Sequence, residues 1–326
     1  MHSAIDHPGV RARGLGKRFG DFWALRDLDL DVDPGRILGL LGHNGAGKTT
    51  AIRILTTLST PTTGTAAVGG HDVVAEPHLV RSMIGVASQQ ATVDGLLSAR
   101  KNLVMVGRLH GLGRRAAEAR ATELLEALSL ADSADNLVKT YSGGMRRRLD
   151  LAATMVSAPE VLFLDEPTTG LDPRARNELW DVLDTLVRDG VTILLTTQYL
   201  EEAERLADDI VVIDHGRVIA HGTATDLKAQ VGGAQLFATA ASPDELDRLA
   251  GVMETVVGHR PDVDVAMRIV TAPTDGGPRM VSNLVDALAD AGVEVADLGL
   301  RQPTLDDVFL TLTGSHVAPE QEEVRA

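Results

Sequence analysis

Continuous apolar runs of strand length punctuate the first two thirds of the chain. Arg36–Leu41, Ile84–Ser88, Val161–Asp165, Val191–Thr197 and Asp209–Ile213 are rich in Val, Ile and Leu, and several lack the alternation of a half-exposed strand. Such runs suit strands buried on both faces, as in a parallel sheet covered by helices. Between them the period changes. In Arg174–Asp189 the apolar positions Leu179, Trp180, Val182, Leu183 and Leu186 recur at helical spacing. The pattern predicts an α/β fold with a mostly parallel sheet. From about 97 to 156 it is helical throughout, and Leu124, Leu125, Leu128 and Leu130 form the apolar stripe of Arg114–Leu130. That stretch predicts an all-helical subdomain set into the α/β unit.

Gln230–Ala234 breaks this pattern and predicts a boundary. One domain is expected over 1–232, a second, small α/β domain over 235–313, and a frayed polar tail over 314–326. The second part alternates strand Gln235–Ala240, helix Ser242–Thr255, strand Val263–Thr271, helix Pro278–Ala291, strand Val293–Leu300 and helix Thr304–Leu312. Ser242 followed by Glu245 predicts a capping box. Leu305, Val308, Phe309 and Leu312 predict one apolar helical face.

Composition narrows the classes of function. The 326 residues include no cysteine, which excludes a disulfide framework, a thiol nucleophile and a cysteine-based zinc site. The net charge of −15 disfavours a duplex-binding surface, so no nucleic-acid partner is expected. Of that charge, −10 lies from Gln235 onward. No stretch approaches 18 apolar residues, and the first twenty residues lack an apolar leader segment, so neither a membrane span nor a signal peptide is expected. The ten histidines show no His-x3-His or similar ligand spacing.

Three motifs carry chemistry. Gly42-His-Asn-Gly-Ala-Gly47-Lys48-Thr49 matches the phosphate-binding loop; it follows the apolar run Ile37–Leu41 and opens a predicted helix, Thr49–Leu58. The glycines Gly42, Gly45 and Gly47 let the backbone wrap a polyphosphate, and Asn44, Ala46 and Thr50 are expected beside them as nucleotide-binding residues. Lys48 is placed to reach the β- and γ-phosphates, and Thr49 to ligate Mg²⁺. It is one of only five lysines. Second, Val161–Leu164 leads into Asp165 and Glu166, acids at the carboxyl end of a buried strand, where ligands bind in open α/β sheets. Asp165 suits Mg²⁺ and Glu166 suits a general base. Third, Tyr141-Ser-Gly-Gly-Met145 lies between those two motifs and starts a helix. Ser142, Gly143, Gly144 and Met145 offer an anion site at a helix N-terminus.

In this order and spacing the three motifs resemble those of ATP-binding cassette (ABC) ATPases. The match Tyr-Ser-Gly-Gly-Met-Arg-Arg-Arg-Leu-Asp, then Leu-Leu-Thr-Thr-Gln-Tyr-Leu-Glu-Glu-Ala-Glu, with Arg301-Gln-Pro-Thr-Leu-Asp-Asp-Val-Phe-Leu310, is similar to the daunorubicin-resistance type and covers about 9 to 313. The resemblance implies a phosphate-loop NTPase with a RecA-like core and helical subdomain. It implies ATP and Mg²⁺ as ligands and a second copy closing an ATP sandwich. Ser142 to Met145 would meet the nucleotide bound by that copy. A separately encoded membrane permease would place the chain at the cytoplasmic face of the membrane, energising export of drugs or lipids. Phe19 stands where the family stacks an aromatic on adenine, Gln89 where a glutamine touches Mg²⁺, and Asp172 in the loop that crosses the dimer. Gln198 replaces the usual histidine at the γ-phosphate. A glutamine can orient water but cannot become a cation. His43 replaces a proline and reads as a solvent-facing turn residue.

Two other classes compete. One is a soluble, non-transport ABC ATPase acting on ribosomes or DNA; a single cassette and no basic arm count against it. The other is a regulatory module that has lost hydrolysis; intact Glu166 counts against it.

Overall fold

The computed structural model describes residues 9–88, 92–231 and 233–313. Its first element is a sheet that the hydrophobic pattern does not announce. β1 (Val10–Phe19) forms a hairpin with β2 (Phe22–Val32) and also pairs β4 (Thr63–Val68), which pairs the short β5 (His71–Asp72), all antiparallel. The register between β1 and β2 shifts at three places from Ala12 to Arg18, which scrambles the period-two alternation.

The second sheet is the one the apolar runs predict. β3 (Ile37–Leu41), β6 (Ile84–Ala87), β7 (Val161–Asp165), β8 (Thr192–Thr197), β9 (Asp209–Asp214) and β10 (Arg217–Gly222) lie in the order β10-β9-β3-β8-β7-β6. All neighbours are parallel except the β9–β10 hairpin. Alternate residues of each strand serve opposite faces. Leu162, Leu164, Ile193 and Leu195 join a core with the helices that follow. Phe163, Leu194, Leu38 and Leu40 join a second core with the antiparallel sheet and α1 (Lys48–Leu55). Helix α1 stops short of the expected Leu58, because Thr57 turns to a left-handed φ of 64°.

α2 (Pro77–Met83) precedes β6. Between β6 and β7 stand α3 (Ala99–Leu109), α4 (Arg114–Ala127) and α5 (Gly143–Met155). Leu103, Leu124, Leu125, Leu128 and Leu149 share one core with Leu162 and Leu164, so the helical insert and the sheet are not separately cored. α6 (Pro173–Arg188) and α7 (Leu200–Leu206) flank β8 in sequence.

The chain divides into two compact units after Ala224, ahead of the Gln230–Ala234 break in the sequence pattern. The second unit starts with α8 (Ala224–Val231) and continues through β11 (Gln235–Ala240), α9 (Leu246–Val257), β12 (Asp262–Asp264), β13 (Ile269–Pro273), α10 (Pro278–Ala291), β14 (Val295–Arg301) and α11 (Leu305–Thr313). Its antiparallel sheet has the order β12-β13-β11-β14. Leu236 and Ala238 of β11 form a core with Leu249, Met253, Leu284 and Leu288 of α9 and α10.

Two expectations fail here. The single strand Val263–Thr271 is a hairpin, with Arg268 at a left-handed φ of 58° and Val265 and Met267 exposed at its turn. The capping box does not form either. Pro243 opens a 3₁₀ turn, in which the Glu245 N–H donates to the Ser242 carbonyl and no side chain caps. The Glu245 carboxylate accepts from Arg248 instead, at 3.0 Å. Of the expected α11 face, Leu305, Val308 and Phe309 are buried while Leu312 is exposed.

Candidate functional site

The carboxyl ends of β3, β8 and β7 are neighbours, and three chain segments meet there. Leaving β3, the Gly42 N–H donates to the carbonyl of Thr197 at the end of β8, 3.2 Å away. The loop then turns through Gly45 and Gly47 at positive φ into α1. A Cβ at Gly47 would lie 2.5 Å from the Ala24 carbonyl oxygen, so this position tolerates no side chain. Asn44 and Gly45 are exposed, Ala46 is buried and Thr50 is half-buried.

Lys48 is only 4% exposed, unusual for a lysine, and every contact of its ammonium is an acceptor. It donates to the carbonyls of Gly42 (2.7 Å) and His43 (3.2 Å) and stands 3.2 Å from Glu166 Oε1. Burial pulls its pKa below the ordinary lysine value of 10.5, against the Glu166 and Asp165 charges, which pull it up.

Asp165, the last residue of β7, accepts from the hydroxyl of Thr49 at 3.1 Å and from that of Thr196 at 2.6 Å. The next residue, Glu166, takes a left-handed φ of 49°, strained for a residue with a side chain. Its N–H donates to both the carbonyl and the hydroxyl of Thr196, each at 3.1 Å. The hydroxyl of Thr169 donates to its Oε2. Glu166 is thus held by three neighbours with one carboxylate oxygen toward Lys48. Gln198 follows β8 directly, half-buried, between the ends of β3 and β7. The structure therefore brings Lys48, Thr49, Asp165, Glu166 and Gln198 to one end of one sheet.

The donor set suits Mg²⁺, which takes oxygen ligands. The Thr49 hydroxyl and the Asp165 carboxylate supply hard oxygens 3.1 Å apart, with no nitrogen or sulfur in the pair.

The remaining sequence-predicted residues stand elsewhere. Ser142 caps α5, its hydroxyl accepting from the Met145 N–H, with Gly143 exposed and Met145 half-buried beside it. A Cβ at Gly144 would lie 2.7 Å from the Ala175 Cβ, so the glycine lets α5 press against α6. Among the described residues no hydrogen bond or ion pair joins Ser142–Met145 to Lys48 or Thr49. Asp172 caps α6 through the Ala175 N–H at 2.9 Å. Phe19 ends β1 and is more than half exposed, with the Lys17 ammonium 5.2 Å from its ring centre. Gln89 lies outside the described residues.

Sequence reasoning missed Thr196, Thr169 and above all Arg147. The run Arg146–Arg148 read as a salt-bridged helix face, and only Arg148 forms such a bridge, to Glu178. Arg146 donates to the carbonyls of Val138 and Lys139. Arg147 is half-buried, and desolvation holds its pKa below the ordinary arginine value. Its guanidinium donates to the carbonyls of Pro167 (2.7 Å), Asp165 (3.3 Å), Glu166 (3.2 Å) and Ser88 (2.6 Å). One turn later Asp150 accepts from the N–H and hydroxyl of Thr92. Helix α5 therefore grips both shoulders of the segment that contains Gln89. Backbone acceptors leave no trace in side-chain patterning, so no sequence signal pointed to Arg147.

A phosphate loop, a strand ending in two acids and a capped Ser-Gly-Gly helix on an inserted helical subdomain define an ATP-binding cassette. The comparisons agree. A family model described as "ABC transporter" matches residues 25–169. The daunorubicin resistance ATP-binding protein DrrA3 of Streptomyces coeruleorubidus is 53% identical over 94% of this chain and 96% of its own length. The daunorubicin/doxorubicin resistance ATP-binding protein DrrA of Streptomyces peucetius is 48% identical over 97% and 96%. A solved ATP-binding subunit of an ABC transporter superposes with a TM-score of 0.61 at 28% identity, covering 68% of this chain and 92% of that one. The chain belongs to the ATP-binding proteins of ABC transporters, and within them to the daunorubicin-resistance type. Domains of this family hydrolyse ATP.

Proposed function

We propose that the chain binds and hydrolyses MgATP to drive export of a drug-like or lipid-like cargo through a separately encoded membrane permease. The observation that carries this reading is the convergence of Lys48, Thr49, Asp165 and Glu166 at one sheet end. The relatives' names support drug export as the class of cargo. Among the described residues no helix is long and apolar enough to cross a membrane, so the cargo path belongs to the partner.

The phosphate loop amides and Lys48 bind the β- and γ-phosphates, with Phe19 stacking on the base. Thr49 and Asp165 hold Mg²⁺, which neutralises charge on the phosphates when bound. Glu166 accepts the proton of the attacking water. Its fixed carboxylate leaves little reorganisation for the reaction step. Gln198 donates its amide toward the γ-phosphate and orients that water through its carbonyl. Ser142 and the Gly143 and Gly144 amides act on the nucleotide of a second copy, which fits their separation from Lys48. Asp172 fixes the start of α6 at the same interface.

Phosphate release from purified chain and from membranes carrying chain plus permease tests this reading. Release that depends on Lys48 and Glu166, and cargo movement that needs both polypeptides, are expected. Hydrolysis indifferent to Lys48→Ala would overturn the catalytic assignment. Full export activity without the chain would overturn the transport role.

A further inference from the structure

The phosphate loop is fastened on its outer side to the β9–β10 turn. β9 ends at Asp214, β10 begins at Arg217, and His215 and Gly216 between them both have positive φ, 46° and 76°. The His215 side chain is exposed at this turn. The Gly216 N–H donates to the carbonyl of Ala46 at 2.9 Å. His43 reaches the same turn from the loop, and its Nε2 lies 2.6 Å from Asp214 Oδ1. The other ring nitrogen, Nδ1, lies 2.6 Å from the carbonyl oxygen of Asn44. His43 thus keeps part of its ring in solvent, as the sequence suggested, while tying the loop to Asp214.

His215 completes the group. Its Nε2 is 3.8 Å from Asp214 Oδ2, and its ring meets that of His43 edge-on, with centroids 5.5 Å apart. One donor atom from each of the three residues falls within 4.8 Å of the others. Around a tetrahedral Zn²⁺ at ordinary N and O distances, donors stand roughly 3.4 Å apart. His43 Nε2 stands 2.6 Å from one Asp214 oxygen and His215 Nε2 3.8 Å from the other, on either side of that value. A ligating histidine normally donates its second ring N–H to a carbonyl, which fixes the tautomer and aims the free nitrogen. The Asn44 carbonyl stands in that position for His43. The residues lie 171 apart in sequence, so no ligand spacing could reveal them.

We propose that His43, Asp214 and His215 bind a late first-row divalent cation of the Zn²⁺ class, clamping the phosphate loop to the β9–β10 turn. Two imidazoles and one carboxylate leave a fourth position for water, as in open zinc sites. The nitrogen donors select against Mg²⁺ and separate this site from the oxygen pair of Thr49 and Asp165. The His43 carbonyl accepts from the Lys48 ammonium, so a cation here fixes the wall against which Lys48 rests.

The test uses full-length chain without a polyhistidine tag, in buffer free of Mg²⁺ and nucleotide. Zn²⁺ is titrated by calorimetry, and Co²⁺ by its visible absorption bands. One ion per chain is expected, with a raised melting temperature. His215→Asn keeps a residue that tolerates left-handed φ. It should weaken Zn²⁺ binding at least ~10-fold, since even loss of an orienting partner typically costs that much. His43→Gln should do the same, and Thr49→Ala should leave Zn²⁺ affinity unchanged. Wild-type affinity in both histidine variants, a Zn²⁺ site lost with Thr49→Ala, or no binding at micromolar Zn²⁺ would each overturn the proposal. Because nucleotide is absent, failure here is distinct from failure of the ATPase reading.

Discussion

The ammonium of Lys48 and the carboxylate of Glu166 stand 3.2 Å apart, both nearly buried, at the junction of the phosphate loop and β7. A γ-phosphate entering this site competes with Glu166 for the same cation. In the proposed mechanism, breaking that pair would free Glu166 to face water, so that nucleotide binding and activation of the base would be one exchange of partners.

Glu166→Gln keeps the shape and removes the charge. It should bind ATP at least as well as wild type, since Lys48 loses its competing anion. Turnover should fall by ~10²–10⁴, the usual contribution of general-base assistance. Nucleotide binding and phosphate release measured on the same preparation check this; near-normal turnover rejects Glu166 as the base.

Gln198→Ala removes both the amide and the carbonyl from the end of β8. Phosphate release should drop by roughly 10-fold or more, with nucleotide affinity little changed, because a water-orienting group acts in the transition state. Gln198→His should retain activity, as it restores a donor. An unchanged rate in Gln198→Ala would remove the residue from the mechanism.

Arg147→Met replaces the guanidinium with an apolar chain and strands the carbonyls of Asp165, Glu166 and Pro167. Unsatisfied buried polar groups cost roughly 1–3 kcal/mol each at most. We expect a lower melting temperature and a drop in kcat larger than the change in KM for ATP. Arg147→Lys should recover stability more than kcat, since one ammonium cannot span four carbonyls. Equal recovery of both would show a merely structural role.

Glu202 on α7 gives a pH signature. It is fully buried beside Trp180, whose indole N–H lies 3.4 Å from Oε1. Burial raises its pKa above 4.5, opposed by the nearby hydroxyls of Thr197 and Thr168, the Trp180 N–H and the charge of Arg176. The folded chain thus keeps this proton at a pH where the unfolded chain has released it. The associated stability is complete below 4.5 and is lost as pH rises through the folded value. Glu202→Gln cannot titrate, so as pH rises above 4.5 its melting temperature should fall less steeply than that of wild type. Parallel curves would contradict the assignment.

Much of this was legible in the chain itself. β3, β7 and β8 are buried on both faces, and their unbroken apolar runs could mean little else. Lys48, Asp165 and Ser142 sit in motifs whose spacing is fixed by the turns they make. β1 and β2 escaped because shifts in register destroy their alternation. The hairpin at 262–273 escaped because Val265 and Met267, exposed at the turn, mimic the apolar positions of a strand. Thr196 and Arg147 act through a carboxylate and backbone carbonyls far away in sequence, and such partners exist only after folding. The His43–Asp214 contact was invisible for the same reason.

One contact described above reaches beyond the site it borders. Gly144 lets α5 close on Ala175, three residues beyond Asp172, the cap of α6. The Ser-Gly-Gly turn and the Asp172 turn are therefore joined without slack, like two teeth cut from one gear. In the proposed sandwich of two copies, a displacement at one tooth would therefore be passed on to the other. A single added methyl at Gly144 would meet the Ala175 Cβ and force the two helices apart.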